Sequence, residues 1–483
     1  MDSISTAMLL LLPALVCLLL TLSSGDKGKD PDPSHSWETC LTLARVRLSK
    51  EYGSMYTVYL GSRQVVVLSG FQAVKEALVD QGEEFSVHGD YPVFFNFTKG
   101  NGKKKCVVWY LLRSIQLLDG QMSGELSCTS RLPDPSHPSP SGEPFDPTFV
   151  LSRSVSNIIC FVLFGSRFND DDRLLTIIRL NNDNFQLMSS PWGELYIFPS
   201  LLDWVPGPHG RIFQNFKCLR DLIAHSVHDH QASLDPRSPR DFIDCFLTKT
   251  AEEKEDPQSH FHMDTLLMTT HNLLFGGTET VGTTLRHAFL ALIKYPRVQA
   301  RVQEEINLVV GRAWLPALED RAAILYPDAV IHEVQRFADI IPMNLPHRVT
   351  RDTAFRGFLI PKPSHTANST SSPTRGTDII TLLNTVHHDP SQFLMPQEFN
   401  PEHFLDAKQS FKKSPAFMPF SAGRRLCLGE SLARMELFLY LTATLQNFSL
   451  QPLGAPEDID LTPAFSSGLG NLPRPFQLCL RAR

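Results

Sequence analysis

The sequence lacks the cysteine patterns of disulfide-stapled and zinc-binding proteins. Its 483 residues include nine cysteines, an odd number at irregular spacing, and no two of them form a Cys-x-x-Cys pair. A disulfide framework normally uses an even number of cysteines, and structural zinc sites need closely paired ligands. We therefore expect a reduced compartment, in which most cysteines pack as small apolar side chains.

The sequence also lacks an excess of positive charge. Its net charge is −6, which predicts no nucleic-acid partner. The hydrophobic content of 42% and the charged content of 20% are ordinary for a globular fold with a sizeable core. The length allows one large domain or two to three average ones.

The N-terminus carries an almost unbroken apolar run from Ile4 to Leu22. A stretch of about 20 apolar residues can span a bilayer as a helix. Lys27 and Lys29 follow the run, and positive charge on that side predicts that the rest of the chain lies in the cytoplasm. We therefore predict a transmembrane signal-anchor over residues 1–24.

A cleaved signal peptide is the alternative interpretation of this N-terminus. Signal peptides begin with a basic segment and carry a shorter apolar stretch. Here the apolar run is long, and Asp2 precedes it without any basic residue, so the anchor is favoured. We predict a linker over residues 25–47 and one large domain over residues 48–483.

The hydrophobic pattern predicts a mainly α-helical fold with a few small β-sheets. Two β-rich runs, Met55–Leu60 and Gln64–Leu68, flank a Gly-Ser turn and predict a hairpin. Residues 131–147 are rich in proline and residues 363–375 are polar and of low complexity, so neither segment predicts regular structure. The predicted helices are Phe71–Asp80, Val150–Phe164, Arg173–Met188, Arg211–Ser233, Arg240–Glu253, His260–Lys294, Arg297–Val309, Pro327–Phe337 and Glu430–Phe448.

The most informative segment is the loop from Phe420 to Gly429. Gly423 and Gly429 let the backbone turn tightly and approach a flat cofactor, and Arg425 can pair with an anionic group. Cys427 precedes a predicted helix, whose N-terminal dipole favours a thiolate. A lone cysteine would indicate a buried structural residue, but the full pattern Phe-x-x-Gly-x-Arg-x-Cys-x-Gly predicts a thiolate presented to a metal.

On these residues the chain resembles the cytochrome P450 superfamily, and within it subfamily F of the mammalian microsomal family 2. The resemblance covers most of residues 1–30, 48–100 and 142–483. It implies that Cys427 is the proximal ligand of a haem b iron, whose thiolate favours cleavage of the O–O bond. It also implies the P450 fold with an N-terminal anchor helix, and a monooxygenase at the cytosolic face of the endoplasmic reticulum.

The longest predicted helix carries Gly276 and Gly277, followed by Glu279 and Thr280. Glycine inside a helix costs about 1 kcal/mol against alanine, and two glycines alone would indicate a packing contact or a kink. With the acid and the hydroxyl that follow, the segment resembles the family's oxygen-activating motif. The resemblance implies that Thr280 and Glu279 are catalytic residues, which deliver protons to bound oxygen.

Glu333 and Arg336 have the spacing of an i, i+3 ion pair. On a protein surface such a pair contributes little to stability. In the family the corresponding pair is buried and joined to a third residue, for which His403 is the candidate here. The resemblance therefore gives Glu333 and Arg336 a structural role.

Haem propionates need cationic or hydrogen-bonding partners. Trp109 and Arg113 match the family's Trp-x-x-x-Arg pair, His347 matches a further contact, and Arg425 lies in the cysteine loop. Each motif is weak alone, but the resemblance implies that all four residues bind the haem. His88 stands where related chains carry an arginine near a propionate.

The resemblance implies that the substrates are small lipophilic xenobiotics, aromatic ones among them. An apolar and aromatic pocket suits such ligands, although core packing is the alternative for each phenylalanine. The candidate substrate contacts are Phe94, Phe95, Phe185, Phe275, Gly276, Leu345 and Phe465.

The resemblance also implies that electrons come from NADPH through NADPH–cytochrome P450 reductase, with cytochrome b5 as a further partner. Lys412, Lys413 and Arg424 lie in and before the cysteine loop. This basic face is either simply solvated or a docking site for an acidic electron donor.

Three segments depart from the family pattern, at residues 28–47, 103–141 and 363–375. They motivate a second hypothesis, a non-catalytic membrane-tethered variant with impaired haem binding. A haem-thiolate isomerase that needs no reductase is a third hypothesis, and the Glu279–Thr280 pair counts against it.

Overall fold

The computed structural model describes most of the chain from residue 48 onward. The predicted anchor (1–24), the predicted linker (25–47) and the polar insertion (363–375) lie outside the described residues. Among the residues that are described, no helix is both long enough and apolar enough to cross a membrane. The described ranges are 48–60, 63–89, 143–166, 172–190, 192–193, 207–208, 210–362, 377–464 and 469–483.

Helices form most of the described structure, which confirms the mainly α-helical fold. A π-helical turn at Glu76–Asp80 continues the first helix, and a short 3-10 helix at Pro401–Phe404 precedes the cysteine loop. The helices are α1 (Phe71–Lys75), α2 (Thr148–Phe164), α3 (Asp172–Ser189), α4 (Gly210–Ser233), α5 (Phe242–Glu252), α6 (Met263–Lys294), α7 (Pro296–Val309), α8 (Leu325–Ala338), α9 (Asn384–His387) and α10 (Glu430–Asn447).

Most helix ends differ from the prediction by one to three residues, and three of them have these positions. Helix α5 begins at Phe242 because Asp241 is its N-cap and accepts a hydrogen bond from the Asp244 amide. Helix α6 begins at Met263, three residues after its predicted start. Helix α8 begins before Pro327, because the first turn of a helix leaves its N–H groups unpaired and so tolerates proline.

In the part of the chain that the structure describes, nine strands form three small sheets. The predicted hairpin is confirmed, because β1 and β2 pair antiparallel with Met55 opposite Leu68. The larger sheet has the order β1-β2-β7-β4-β3, and β7 runs parallel to β2. The strands described are β1 (Met55–Leu60), β2 (Arg63–Ser69), β3 (Val87–His88), β4 (His347–Arg348), β5 (Thr353–Phe355), β6 (Phe358–Ile360), β7 (Asp378–Leu382), β8 (Phe448–Pro452) and β9 (Leu478–Ala482).

The strands on either side of the polar insertion are not partners in one hairpin. Strand β6 pairs with β5, whereas β7 pairs with β2 and β4. The insertion lies in a connection between two different sheets.

Helix α6 forms the centre of the core. It is buried along most of its length and packs against α2, α4, α8 and α10. It is buried on several sides, and polar residues are among its buried side chains, unlike a surface helix with a single apolar face. The side chains of α6 are therefore held on a rigid element.

A buried polar cluster joins α4 to the start of α5. His230 is 2.7 Å from the Ser226 carbonyl through Nδ1 and 2.7 Å from a carboxylate oxygen of Asp241 through Nε2. Both neighbours can only accept hydrogen bonds, so both ring nitrogens must donate, and the ring is an imidazolium. Burial lowers the pKa of His230, but the hydrogen bond and charge of Asp241 outweigh burial and raise it overall.

We expect this cluster to make stability depend on pH. A histidine with a raised folded-state pKa stabilises the fold below its unfolded-state pKa, and that stability is lost as pH rises through the folded-state pKa. His230→Gln should lower the free energy of unfolding by about 1–2 kcal/mol at pH 6 and by less at pH 9, measured by denaturant unfolding. His228→Gln, at an exposed position on the same helix, is the control. An equal loss at both pH values would contradict the ion pair.

Candidate active site

The cysteine loop is closed by its own backbone. The Cys427 amide donates to the Phe420 carbonyl at 2.9 Å, and the Leu426 amide donates to the Gly423 carbonyl at 3.3 Å. Gly423 has a φ of 69°, and a Cβ at this position would overlap the carbonyl oxygen of Leu78. Only glycine fits here, because it tolerates the positive φ and lets the loop backbone touch the π-helical turn.

The thiol of Cys427 lies at the beginning of α10. The residue is exposed, yet enough protein surrounds the thiol for burial to raise its pKa. The backbone N–H of Gly429 hydrogen-bonds the sulfur and lowers the pKa, while the charge of Glu430 raises it. The loop thus offers an accessible sulfur with a backbone donor aimed at it, which is a suitable arrangement for a metal ligand.

The two glycines of α6 have different surroundings. A Cβ on Gly277 would lie 2.9 Å from the side chain of Ile159, so this glycine allows α2 to pack closely. A Cβ on Gly276 would meet nothing within 4 Å. The packing explanation therefore accounts for Gly277, whereas Gly276 faces open space.

Glu279 and Thr280 point in different directions from α6. Thr280 is partly exposed, and its hydroxyl donates to the Gly276 carbonyl at 2.8 Å. Glu279 is 1% exposed, and its Oε1 atom has no hydrogen-bond partner in the described part of the chain. Burial raises the pKa of Glu279 to about 7, although the charge of Arg286 opposes the shift. A carboxyl with this pKa can release or take up a proton near neutrality.

His347 and Arg425 converge on the strand β3 region. The buried His347 ring contacts the Phe85 carbonyl at 2.9 Å through Nδ1, and Arg425 donates to the Ser86 carbonyl. Burial lowers the pKa of His347, the Phe85 carbonyl raises it, and the charge of Arg425 lowers it. Because Nδ1 carries the proton of the neutral ring, Nε2 is left as an acceptor. His88 pairs with His347 across the strands, with ring centroids 5.9 Å apart.

Arg336 is completely buried in a network that uses every N–H of its guanidinium. Its Nε and Nη2 atoms bind the two carboxylate oxygens of Glu333 at 2.8 and 2.7 Å. Its remaining N–H groups donate to the carbonyls of His387, Pro396 and Glu398. A guanidinium has five N–H donors, so none is left unpaired by this arrangement.

Glu333 extends the network toward the segment that precedes the cysteine loop. One of its carboxylate oxygens accepts from the Asn400 amide at 2.8 Å, and the other lies 3.1 Å from Nδ1 of His403. The structure thus places His403 where the resemblance expects a third partner. These contacts position the loop but offer no accessible group for chemistry.

The candidate substrate contacts do not form one group. Phe185 and Phe275 are buried and meet edge to face, with ring centroids 6.2 Å apart, while Leu345 is 39% exposed. Phe216 also meets Phe275, at 5.9 Å, and the sequence interpretation missed it. The apolar spacing of α4, where Phe216 lies one turn after Ile212, was the available signal.

Five of the candidate residues lie outside the part of the chain that the structure describes. They include both members of the predicted Trp-x-x-x-Arg pair, so the pair's relation to His347 and Arg425 stays a prediction. The five residues are Phe94, Phe95, Trp109, Arg113 and Phe465.

Comparison with known proteins gives matches along almost the whole chain. The family model described as cytochrome P450 matches residues 40–114 and 135–480. The chain is 77% identical to cytochrome P450 2F1 of Homo sapiens and 68% identical to cytochrome P450 2F3 of Capra hircus, with 100% of each chain covered. It is 46% identical to cytochrome P450 2G1 of Oryctolagus cuniculus over 91% of this chain and 88% of that protein. The unmatched stretch between the two ranges falls within residues 103–141, which depart from the family pattern.

The buried carboxyl of Glu279 should also make stability depend on pH. An acid with a raised folded-state pKa favours folding below its unfolded-state pKa, and this contribution is lost as pH rises through about 7. Glu279→Gln mimics the neutral acid. Its free energy of unfolding should be on the order of 2 kcal/mol higher than that of the wild type at pH 8, and nearly equal to it at pH 5. Denaturant titrations at both pH values measure this.

Glu304→Gln, at an exposed position on α7, is the control for Glu279→Gln. It should leave the free energy of unfolding unchanged at both pH values. A Glu279→Gln variant that is no more stable than the wild type at pH 8 would show that the carboxyl is not held in its neutral form.

Proposed function

The chain belongs to the cytochrome P450 family, as a monooxygenase of family 2 and subfamily F, and from this membership we propose that it is a haem-thiolate enzyme with Cys427 as the iron ligand. The observation that carries the proposal is the closed loop around Cys427, in which an accessible sulfur faces a backbone donor at the start of α10. When bound, a thiolate-ligated haem supplies the chemistry that activates O₂.

The residues of the site fit such a haem. The position of Gly276 is open, so a flat group or a small molecule can approach the helix backbone there. We propose that Arg425 and His347 bind the propionates, together with Trp109 and Arg113. Because Nε2 of a neutral His347 only accepts hydrogen bonds, a carboxylate bound there would require the ring to take up a proton.

We propose that Thr280 and Glu279 deliver protons. The Thr280 hydroxyl already donates its proton to the Gly276 carbonyl, so its oxygen is available to accept a hydrogen bond from a water molecule. Glu279, the residue before Thr280 on α6, has a pKa of about 7 and can release a proton near neutrality. Glu333 and Arg336 do not take part in this chemistry and instead hold the segment before the cysteine loop.

The proposed substrates are small lipophilic xenobiotics, aromatic ones among them. The edge-to-face cluster of Phe185 and Phe275 supports this, because aromatic and apolar walls bind such molecules. Gly276 and Leu345 are proposed as contacts in the described part of the chain. Phe94, Phe95 and Phe465 are proposed as further contacts.

The proposed location is the endoplasmic reticulum membrane, with residues 1–24 as the anchor, 25–47 as the linker and 48–483 as a cytosolic catalytic domain. NADPH would supply electrons through NADPH–cytochrome P450 reductase, with cytochrome b5 as a second partner. The exposed side chains of Lys412, Lys413 and Arg424 support docking of an acidic donor.

Replacing the proposed iron ligand tests the function directly. Purified wild-type chain, reduced and exposed to carbon monoxide, should show the absorption band of a thiolate-ligated haem. Cys427→Ser should lose that band completely, because a hydroxyl is a poor replacement for a thiolate ligand. Cys218→Ser, at an exposed position on α4, should keep it.

A wild-type preparation without this band would favour the alternative, a non-catalytic membrane-tethered variant with impaired haem binding. Turnover that persists without NADPH would instead favour an isomerase.

Removing the hydroxyl of Thr280 tests proton delivery. Thr280→Val keeps the shape of the side chain, and product formation should fall by on the order of 100-fold as reduced oxygen is released instead. The Thr284 hydroxyl makes the same backbone bond one turn later on α6, at 2.8 Å, so Thr284→Val is a matched control. Product and peroxide yields per NADPH consumed distinguish the two variants. Equal yields from both would remove Thr280 from the proposed mechanism.

A further inference from the structure

The guanidinium of Arg434 lies beside the cysteine loop. Its Nε atom donates to a carboxylate oxygen of Glu430 at 2.8 Å, one helical turn earlier on α10. Its central carbon is 5.0 Å from the ring centroid of Phe420, the first residue of the loop. The cation is therefore held between an acid and an aromatic face, both of which attract it.

His332 fixes the direction of this guanidinium from α8. Its Nε2 atom is 3.0 Å from Nη1 of Arg434, and its Nδ1 atom is 2.7 Å from the Asp328 carbonyl. A guanidinium can only donate hydrogen bonds, so Nε2 must accept and the single ring proton must be on Nδ1. His332 is 6% exposed and packs against the ring of Phe417, at 4.7 Å between centroids. The ring is thus a neutral, fixed acceptor that orients Arg434.

Two of the residues that Arg434 contacts, Phe420 and Glu430, are hydrogen-bonded to Cys427 through their backbones. The Phe420 carbonyl accepts a hydrogen bond from the Cys427 amide at 2.9 Å, and the Glu430 amide donates one to the Cys427 carbonyl at 3.4 Å. The side chains of Glu430 and Arg434 are only 26% and 22% exposed. Charges that are mostly shielded from water act more strongly on their neighbours than charges on an open surface. One negative and one positive charge are therefore held next to the candidate iron ligand.

We propose that Arg434 is a positioning residue that neutralises Glu430 and thereby sets how readily a metal bound at Cys427 accepts an electron. This inference rests on the proposed function, because it concerns the iron that Cys427 would bind. An uncompensated carboxylate beside the ligand opposes the addition of an electron, and a cation favours it. The ion pair keeps these two effects in balance, while His332 and Phe420 hold the cation in place.

The test is the reduction potential of the haem in the purified full chain, measured by spectroscopic redox titration. Arg434→Met keeps the length and the contact with Phe420 but removes the charge, so the potential should become more negative. Glu430→Gln should shift it in the positive direction. The double variant should return close to the wild-type value, since neither charge remains.

Two further variants separate charge from other roles. Arg434→Lys keeps the positive charge, so it should restore most of the wild-type potential even though it loses the stacked, forked geometry. Lys249→Met breaks a comparable i, i+4 pair with Glu253 on α5, far along the chain from Cys427, and should leave the potential unchanged.

An unchanged potential in Arg434→Met would overturn the inference, even if that variant were less stable or accepted electrons from a donor protein more slowly. A double variant that kept the full shift of the single variant would also overturn it. If Arg434→Met did not fold, Glu430→Gln alone would decide. A rise in its reduction potential would support the proposal, and an unchanged or lower potential would contradict it. A wild-type chain without the thiolate–haem band would overturn the proposed function and this inference together, whereas a normal band with unshifted potentials would overturn the inference alone.

Discussion

The buried ion pair between Arg336 and Glu333 is the interaction on which the arrangement around the cysteine loop depends. Its two charges are completely buried, and each is surrounded by hydrogen-bond partners from segments far apart in the sequence. Removing one partner of such a pair typically costs about 3–5 kcal/mol, because the other charge is left buried and unpaired. The pair therefore fixes the path of the chain from α8 to the segment that carries His403.

The chain on both sides of the cysteine loop is held in place. The segment from residue 396 to residue 403, which precedes the loop, is held by the ion-pair network, and α10 follows the loop as a buried helix. Between these two segments, the hydrogen bond from the Cys427 amide to the Phe420 carbonyl closes the loop. The contact of Gly423 with Leu78 holds the loop against the π-helical turn. A sulfur that must meet a metal in one geometry needs this kind of support, because loops without it vary in position.

Much of the fold could be predicted from the sequence because its elements are long and periodic. Helices such as α2 and α7 carry clear apolar patterns, and their predicted bounds differ from the observed ones by at most two residues. The hairpin followed from two β-rich runs on either side of a Gly-Ser turn. At the site, the pattern around Cys427 was informative because several positions with separate physical reasons occur together.

The rest depends on contacts between distant residues, which local patterns do not contain. The parallel pairing of β2 with β7 joins residues more than 300 positions apart, and no propensity specifies it. The same holds for Phe216 against Phe275, and for His332 against Arg434. The sequence places each of these residues on a helix, but the face that meets a partner is decided by how the helices pack.

The contact between Gly277 and Ile159 constrains how this chain can change over time. The two helices approach closely at a point where one side has no side chain and the other has a branched one. Alanine at position 277 would press on the outer end of the Ile159 side chain, so a smaller residue at position 159 would make that substitution easier to accommodate. Substitutions at these two positions, more than 100 residues apart, are therefore coupled.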